Sequence, residues 1–302
     1  MIMVEVVVAA TQMACGRDSD KNVSRAEELI REAAEKGAQI ILLQELFETP
    51  YFCQDQNRHH LCLAKEAEGN PLLKRMAKLA EELSVVLPVS FFEKANKTFF
   101  NSMMMIDADG SFLGIYRKSH IPNDPGYWEK FCFSPGDTGF KVWKTRYCKV
   151  GVGICWDQWF PEAARIMALK GADVLMYPTA IGSEPGYDLD TAGHWRRVMQ
   201  GHAGANMIPV CASNRVGVEK GEATELTFYG SSFIAGHDGA VVAEAGRDEE
   251  TTIAARFDLD QIREFRDSFH VFRDRRPDLY ESLLTMDGDT GVHKQRRSRG
   301  PV

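Results

Sequence analysis

Residues 151–177 read GVGICWDQWFPEAARIMALKGADVLMY, and they decide the fold class. The apolar run Val150–Cys155 predicts a buried strand. Pro161 then stands at the first turn of a predicted helix, Pro161–Lys170, where its missing N–H costs nothing. Ala172–Tyr177 reads as a second buried strand. Strand, helix and strand in succession argue for an α/β protein. At the first junction sit a thiol, two indoles, a carboxylate and an amide. Ligands in α/β proteins are met at strand ends, so Cys155 is placed where chemistry happens.

The same alternation runs outward in both directions. Val4–Ala10 is a predicted strand, and Ala26, Leu29, Ile30, Ala33 and Ala34 recur at helical spacing until Gly37 closes that helix. Gln39–Gln44 is a short buried strand, Leu72–Leu83 a helix and Val85–Phe92 a strand. Thr98–Ile106 and Ser111–Arg117 flank DADG as a hairpin. Asp190–Asn206 is helical, Ile208–Ser213 a strand, and Phe228–Ala235 with Ala240–Ala245 pair around GHDG. Ile253–Asp258 and a last short helix follow. Hairpins mixed with helical crossovers predict two mixed sheets with helices outside. No Pro/Ser linker interrupts the pattern, so residues 1–286 read as a single domain and 287–302 as a basic tail, disordered or draped on an interface.

Composition narrows the partners. Hydrophobic residues make up 44% of the 302, as in an ordinary globular chain. A formal net charge of −7 argues against nucleic acid or an anionic membrane as main partner. The start has no basic n-region, and no stretch approaches the ~20 apolar residues of a membrane span. Seven irregularly spaced cysteines without a CxxC pair suit a reducing, cytoplasmic setting.

Two other strand ends carry charge. Glu45 directly follows the predicted strand in IILLQELFETPYF (40–52), and Lys118 ends another in GIYRKSHIPNDPGYWEKFCFSPGD (114–137), with Glu129 further on. Buried charges call for a partner or a task. A base, a cation and a thiol converging at one sheet end would make a nucleophilic site. A Cys–His pair is the weaker alternative, since His120, His194 and His202 lie in no recognisable local signature.

In this order and spacing, Glu45 in QELF, Lys118 in YRKSHIP and Cys155 in ICWDQWFPEAAR resemble the Glu–Lys–Cys triad of the nitrilase superfamily of carbon–nitrogen hydrolases. EKFCFSPGDTGFKV, YPTAIGSEP, QGHAGAN and VFRDRRPDLY extend the resemblance to about Leu284. The resemblance is strongest to the branch that hydrolyses N-carbamoylputrescine. It implies a four-layer α-β-β-α sandwich and a homo-oligomer built from dimers, up to an octamer. It implies Glu45 as base, Cys155 as nucleophile, and Lys118 with the backbone N–H of Trp156 as oxyanion donors. Hydrolysis would pass through an S-carbamoyl enzyme, with Glu129 orienting Lys118 and substrate and no metal or organic cofactor required.

Each residue alone has an ordinary explanation. Cys155 would be a small buried hydrophobe, Glu45 a helix-start carboxylate, Lys118 a solvated strand end and Glu129 half of a surface pair with Lys130 or Arg117. His59–His60 lacks a third metal ligand and reads as surface loop. Trp195, Val198, Met199 and His202 recur at helical spacing and read as packing. Gly201, Ala203, Gly204 and Ala205 are small enough to admit a partner subunit.

The substrate is argued from what is missing. Carbamoylases that grip a carboxylate carry an arginine pair shortly after the catalytic cysteine; here those places are Gln158 and Trp159. PTAIGSEPGYD offers Ser183 and Glu184 instead, with Asp124 in reserve and Tyr51, Trp128 and Trp156 as aromatic walls. An acid at the far end suits a small cationic ureido substrate such as N-carbamoylputrescine. The alternatives are a β-ureidopropionase or ω-amidase-like hydrolase, and an inactive interaction module on the same fold.

Overall fold

The computed structural model describes residues 5–289, which divide into two compact units, 5–262 and 263–289. The first half of the larger unit runs β1 (Glu5–Gln12), α1 (Ser19–Glu35), β2 (Ile40–Leu42), α2 (Pro71–Leu83), β3 (Leu87–Ala95), β4 (Thr98–Ile106) and β5 (Phe112–Arg117). The short α3 (Glu129–Cys132) leads into β6 (Val142–Lys144), β7 (Lys149–Val152), α4 (Pro161–Leu169), β8 (Val174–Pro178), α5 (Ala192–Asn206) and β9 (Val210–Ser213). Then come β10 (Val216–Lys220), β11 (Glu225–Tyr229), β12 (Phe233–Ala235), β13 (Val241–Glu244) and β14 (Thr251–Asp258).

Two sheets result. One has the order β13-β12-β9-β8-β7-β6. The other joins β14-β1-β2 to β3-β4-β5 through the Ile40–Val86 bridge, with Ile41 N donating to Val86 O at 3.0 Å. Side chains alternate across each strand, so every central strand feeds two cores. Val6, Val8 and Ala10 of β1 meet Val150, Val152, Val174 and Met176 between the sheets. Val7 and Ala9 face the other way, onto Leu29 and Ile30 of α1 and Met76 of α2. Leu175 and Tyr177 of β8 pack on Met167 of α4 and on Trp195 and Met199 of α5. The layers are therefore α-β-β-α. Asp18 caps α1 by accepting from Lys21 N, and Asn70 caps α2 from Leu72 N at 3.0 Å with Pro71 at its first turn.

Three expectations change. The strand expected over Val150–Cys155 stops at Val152, because Gly153 and a left-handed Cys155 (φ +40°) swing the chain away. Phe228–Ala235 is two strands, divided where Gly230 (φ +53°) and Ser231 (φ +57°) turn the backbone; a Cβ on Gly230 would lie 2.7 Å from Val216. The hairpin β10–β11 is absent from the sequence reading, since Gly217, Glu219 and Lys220 dilute its apolar signal. At Gly204 a Cβ would lie 3.3 Å from Asp238 O of the same chain.

The smaller unit continues α6 (Leu259–Phe269) into short turns at Pro277–Leu279 and Glu281–Leu284. Arg273 pairs with Asp274 and Arg276 with Asp278. All four are exposed, so solvent screens both pairs and they add little to stability. The basic tail lies outside the described residues from position 290 onward. Among the described residues, no helix is long and apolar enough to cross a membrane.

Candidate active site

The site is built where the two sheets present their strand ends on one side. Glu45 follows β2 by three residues, Lys118 follows β5 directly, and Glu129 opens α3. Their side chains are fully buried, and the Lys118 ammonium bridges them, 2.9 Å from Glu45 Oε1 and 2.7 Å from Glu129 Oε2. Burial works against the ammonium, but Glu129 and Glu45 outweigh it and hold its pKa well above the usual lysine range. Glu129 is pushed up to about 7, chiefly by burial, with Lys118 opposing. Its Oε1 accepts the Tyr51 hydroxyl at 2.7 Å.

Glu45 is held by one oxygen and open at the other. Oε1 accepts both Lys118 and, at 2.6 Å, Asn101 Nδ2. Oε2 is buried and has no hydrogen-bond partner among the described residues. Arg215 pins the backbone that carries it, donating to the carbonyls of Glu45 (3.0 Å), Leu46 (2.6 Å) and Thr49 (3.0 Å). That grip stabilises Leu46 in the left-handed region, φ +51°. Arg215 is itself balanced by Glu219 at 2.8 Å.

Cys155 opens a short 3₁₀ turn, Cys155–Trp159. Burial pushes its thiol well above the usual range, Glu45 adds to that and Lys118 opposes it. The group therefore rests as a thiol and needs a base to become a nucleophile. The N–H of Trp156 lies in the first positions of the turn, where backbone donors lack an intrahelical acceptor. Sγ lies 3.7 Å from Ala180 O on the segment after β8.

A cavity opens over Cys155. Tyr127, Trp156 and Trp159 are its aromatic lining residues, and Asp124, Glu129 and Glu184 its acidic ones. Burial raises the pKa of the half-buried Glu184, and the Asp124 charge raises it further, so the two carboxylates sense each other. None of the lining side chains is cationic.

Three residues expected at the substrate lie elsewhere. Tyr51 is buried between Tyr127 and Phe228, and its hydroxyl serves Glu129 instead of the cavity. Trp128 lines a separate open recess with Asn57, His59 and Glu222. Ser183 Oγ is occupied by Thr227 N of β11 at 3.0 Å. Gln158 is fully buried, its side-chain oxygen accepting Trp195 Nε1 at 2.6 Å. Sequence reasoning misses Asn101, Arg215 and Tyr127, and marks Asp157 only as a carboxylate at the Cys155 junction. Arg215 had a signal: it ends the apolar run of β9, as Glu45, Lys118 and Cys155 end theirs. Asn101 sits within a strand and had none.

Glu129 gives the site a pH dependence. Its carboxylate shares the Lys118 charge with Glu45; protonated, it leaves that charge to Glu45 alone and weakens Glu45 as a base. The kcat/KM profile should therefore fall as pH drops through about 7, about tenfold per unit below the midpoint. In Glu129→Gln, kcat/KM should be low throughout and this limb should vanish. A limb with the same midpoint in the variant assigns it to another group.

The profile of the carbon–nitrogen hydrolase family matches residues 7–267. The chain is 61% identical over 290 residues to an N-carbamoylputrescine amidase of Arabidopsis thaliana, covering 94% of this chain and 97% of that one. It is 51% identical over 283 residues to a citrullinase of Francisella tularensis subsp. tularensis, covering 93% and 99%. The crystal structure of a carbon–nitrogen hydrolase from Helicobacter pylori G27 superposes with a TM-score of 0.88 at 39% identity, covering 93% and 99%. The chain therefore belongs to the carbon–nitrogen hydrolase family, within the nitrilase superfamily.

Proposed function

We propose that this enzyme hydrolyses N-carbamoylputrescine to putrescine, carbon dioxide and ammonia. The observation that carries this reading is that Glu184 and Asp124 line the same cavity as Cys155, with no cationic side chain among the lining residues. A buried ammonium needs such acceptors, and a carboxylate there would be repelled. Tyr127, Trp156 and Trp159 suit the butyl chain and the cation at its end. The identity to the Arabidopsis amidase supports the same choice.

In this reading Glu45 Oε2 takes the Cys155 proton as sulfur attacks the ureido carbon. Lys118 and the Trp156 N–H receive the developing oxyanion. Glu45 returns the proton to the terminal nitrogen, which leaves as ammonia, and an S-(N-alkylcarbamoyl) thioester remains. Water, deprotonated by Glu45, then cleaves the thioester to an N-alkylcarbamic acid, which falls apart to carbon dioxide and putrescine. One water is consumed in all. The intact Cys155 site weighs against an inactive interaction module. The same reading places the enzyme in polyamine biosynthesis in the cytoplasm, as a homo-oligomer built from dimers; Ile166 and Leu169, 37% and 46% exposed on α4, offer an apolar face for such a contact.

Ammonia release from N-carbamoylputrescine, citrulline and N-carbamoyl-β-alanine tests the proposal. The first should be preferred at least about 100-fold in kcat/KM, since both competitors bring a carboxylate to Glu184 and Asp124. Glu184→Gln should raise KM for N-carbamoylputrescine about tenfold while leaving a neutral N-alkylurea unchanged, the mark of binding lost equally in ground and transition states. A wild-type preference for either carboxylate-bearing substrate overturns the reading. Preference for citrulline moves it to the activity named for the Francisella relative, and preference for N-carbamoyl-β-alanine to a β-ureidopropionase.

A further inference from the structure

Lys118 and Cys155 must meet within ångströms, yet they stand on different sheets: Lys118 follows β5 of one, and Cys155 follows β7 of the other. Main-chain pairing within either sheet cannot set that separation. Asp157, two residues after Cys155, is fully buried and offers acceptors only. Its Oδ2 accepts Ile154 N at 2.9 Å, on the nucleophile's own turn, and the Tyr116 hydroxyl at 2.7 Å, two residues before Lys118. Its Oδ1 accepts His120 N at 3.0 Å and meets His120 Nδ1 at 2.8 Å, two residues after Lys118. The His120 ring then stacks on Phe160, at the end of the nucleophile turn, with centroids 3.6 Å apart and planes 7° from parallel. One carboxylate thus gathers donors from both flanks of the lysine and from the residue before the cysteine.

We propose that Asp157 is a positioning residue that fastens the Lys118 strand end to the Cys155 turn and so aligns ammonium and thiol across the two sheets. It touches neither substrate nor reacting atoms; it acts through the segments that carry them. The cost of losing it falls on alignment, where small displacements of reacting groups lower rates steeply. The inference rests on Cys155 being the nucleophile and Lys118 its cation.

The test uses Asp157→Asn, Tyr116→Phe and His120→Ala in the full-length protein. Asp157→Asn should keep its circular-dichroism spectrum, lower kcat about 100-fold and leave KM within about threefold. Tyr116→Phe and His120→Ala should each lower kcat several-fold with KM unchanged, and Tyr116→Phe should add little in the Asp157→Asn background, because both act through one carboxylate. Alkylation of Cys155 by iodoacetamide, which needs no substrate, should slow in all three variants as the thiol loses its aligned cation. That arm separates failure of this inference from failure of the substrate proposal. If Asp157→Asn does not fold, Tyr116→Phe and His120→Ala decide, since both keep the carboxylate. Folded variants with kcat and alkylation within about twofold of wild type overturn the proposal. So does a loss that raises KM as much as it lowers kcat, which would make Asp157 a support of the fold alone.

Discussion

Cys155→Ser is expected to fold and assemble like the wild type and to lose turnover by at least about 10⁴-fold. A buried hydroxyl is a far weaker nucleophile than a thiol deprotonated by a neighbouring carboxylate. The substitution removes almost no volume, so the thermal midpoint should stay within about 2 °C. Wild-type enzyme quenched during turnover should carry the carbamoyl adduct on Cys155, found by peptide mass spectrometry. Cys53 is the control, because it is also fully buried and senses the Lys118 charge. An adduct on Cys53, or substantial activity in Cys155→Ala, would sink the assignment.

Lys118→Ala should cost both rate and stability. Without the ammonium no cationic donor meets the oxyanion, and kcat should fall about 10²–10³-fold or more. Glu45 and Glu129 are then left as two buried carboxylates without their shared cation, and breaking such a pair costs about 3–5 kcal/mol. The sign of its pH dependence follows. Loss of the cation removes the charge that opposes burial at Glu129, so its folded-state pKa rises further above the unfolded value and the folded variant binds protons more tightly than the unfolded chain. The stability deficit should therefore be largest near pH 8 and shrink toward pH 5. Urea unfolding at both values measures it. A variant with the wild-type midpoint throughout would mean that the buried ion network contributes nothing to the fold.

The fold class was legible because burial imposes a period. The runs of β1, β2 and β8 are apolar at nearly every position, which only strands buried on both faces require, and α1 and α2 show the helical stripe that covers them. The charged residues at strand ends were legible for the opposite reason: Glu45 and Lys118 break apolar runs that would otherwise exclude them. Asn101 and the role of Asp157 escaped notice. A polar residue inside β4 looks like any solvent-facing strand position until the fold shows that face buried against Glu45. Asp157 looks like a turn residue until its four donors, from three residues on two segments, converge on it.

The sequence by itself determined the α/β class, most of the order of the elements and the candidate residues for C–N hydrolysis, since these depend on local pattern and side-chain chemistry. Tertiary structure alone decided what those residues face. Tyr51 and Trp128 are aromatic neighbours of the site in sequence, but one turns its hydroxyl to Glu129 and the other its ring to a different recess. Asp124 and Glu184 lie 60 positions apart and line one cavity. Direction and convergence arise from how two sheets stack and where their loops return, and residues so distant along the chain carry no local signal of their meeting.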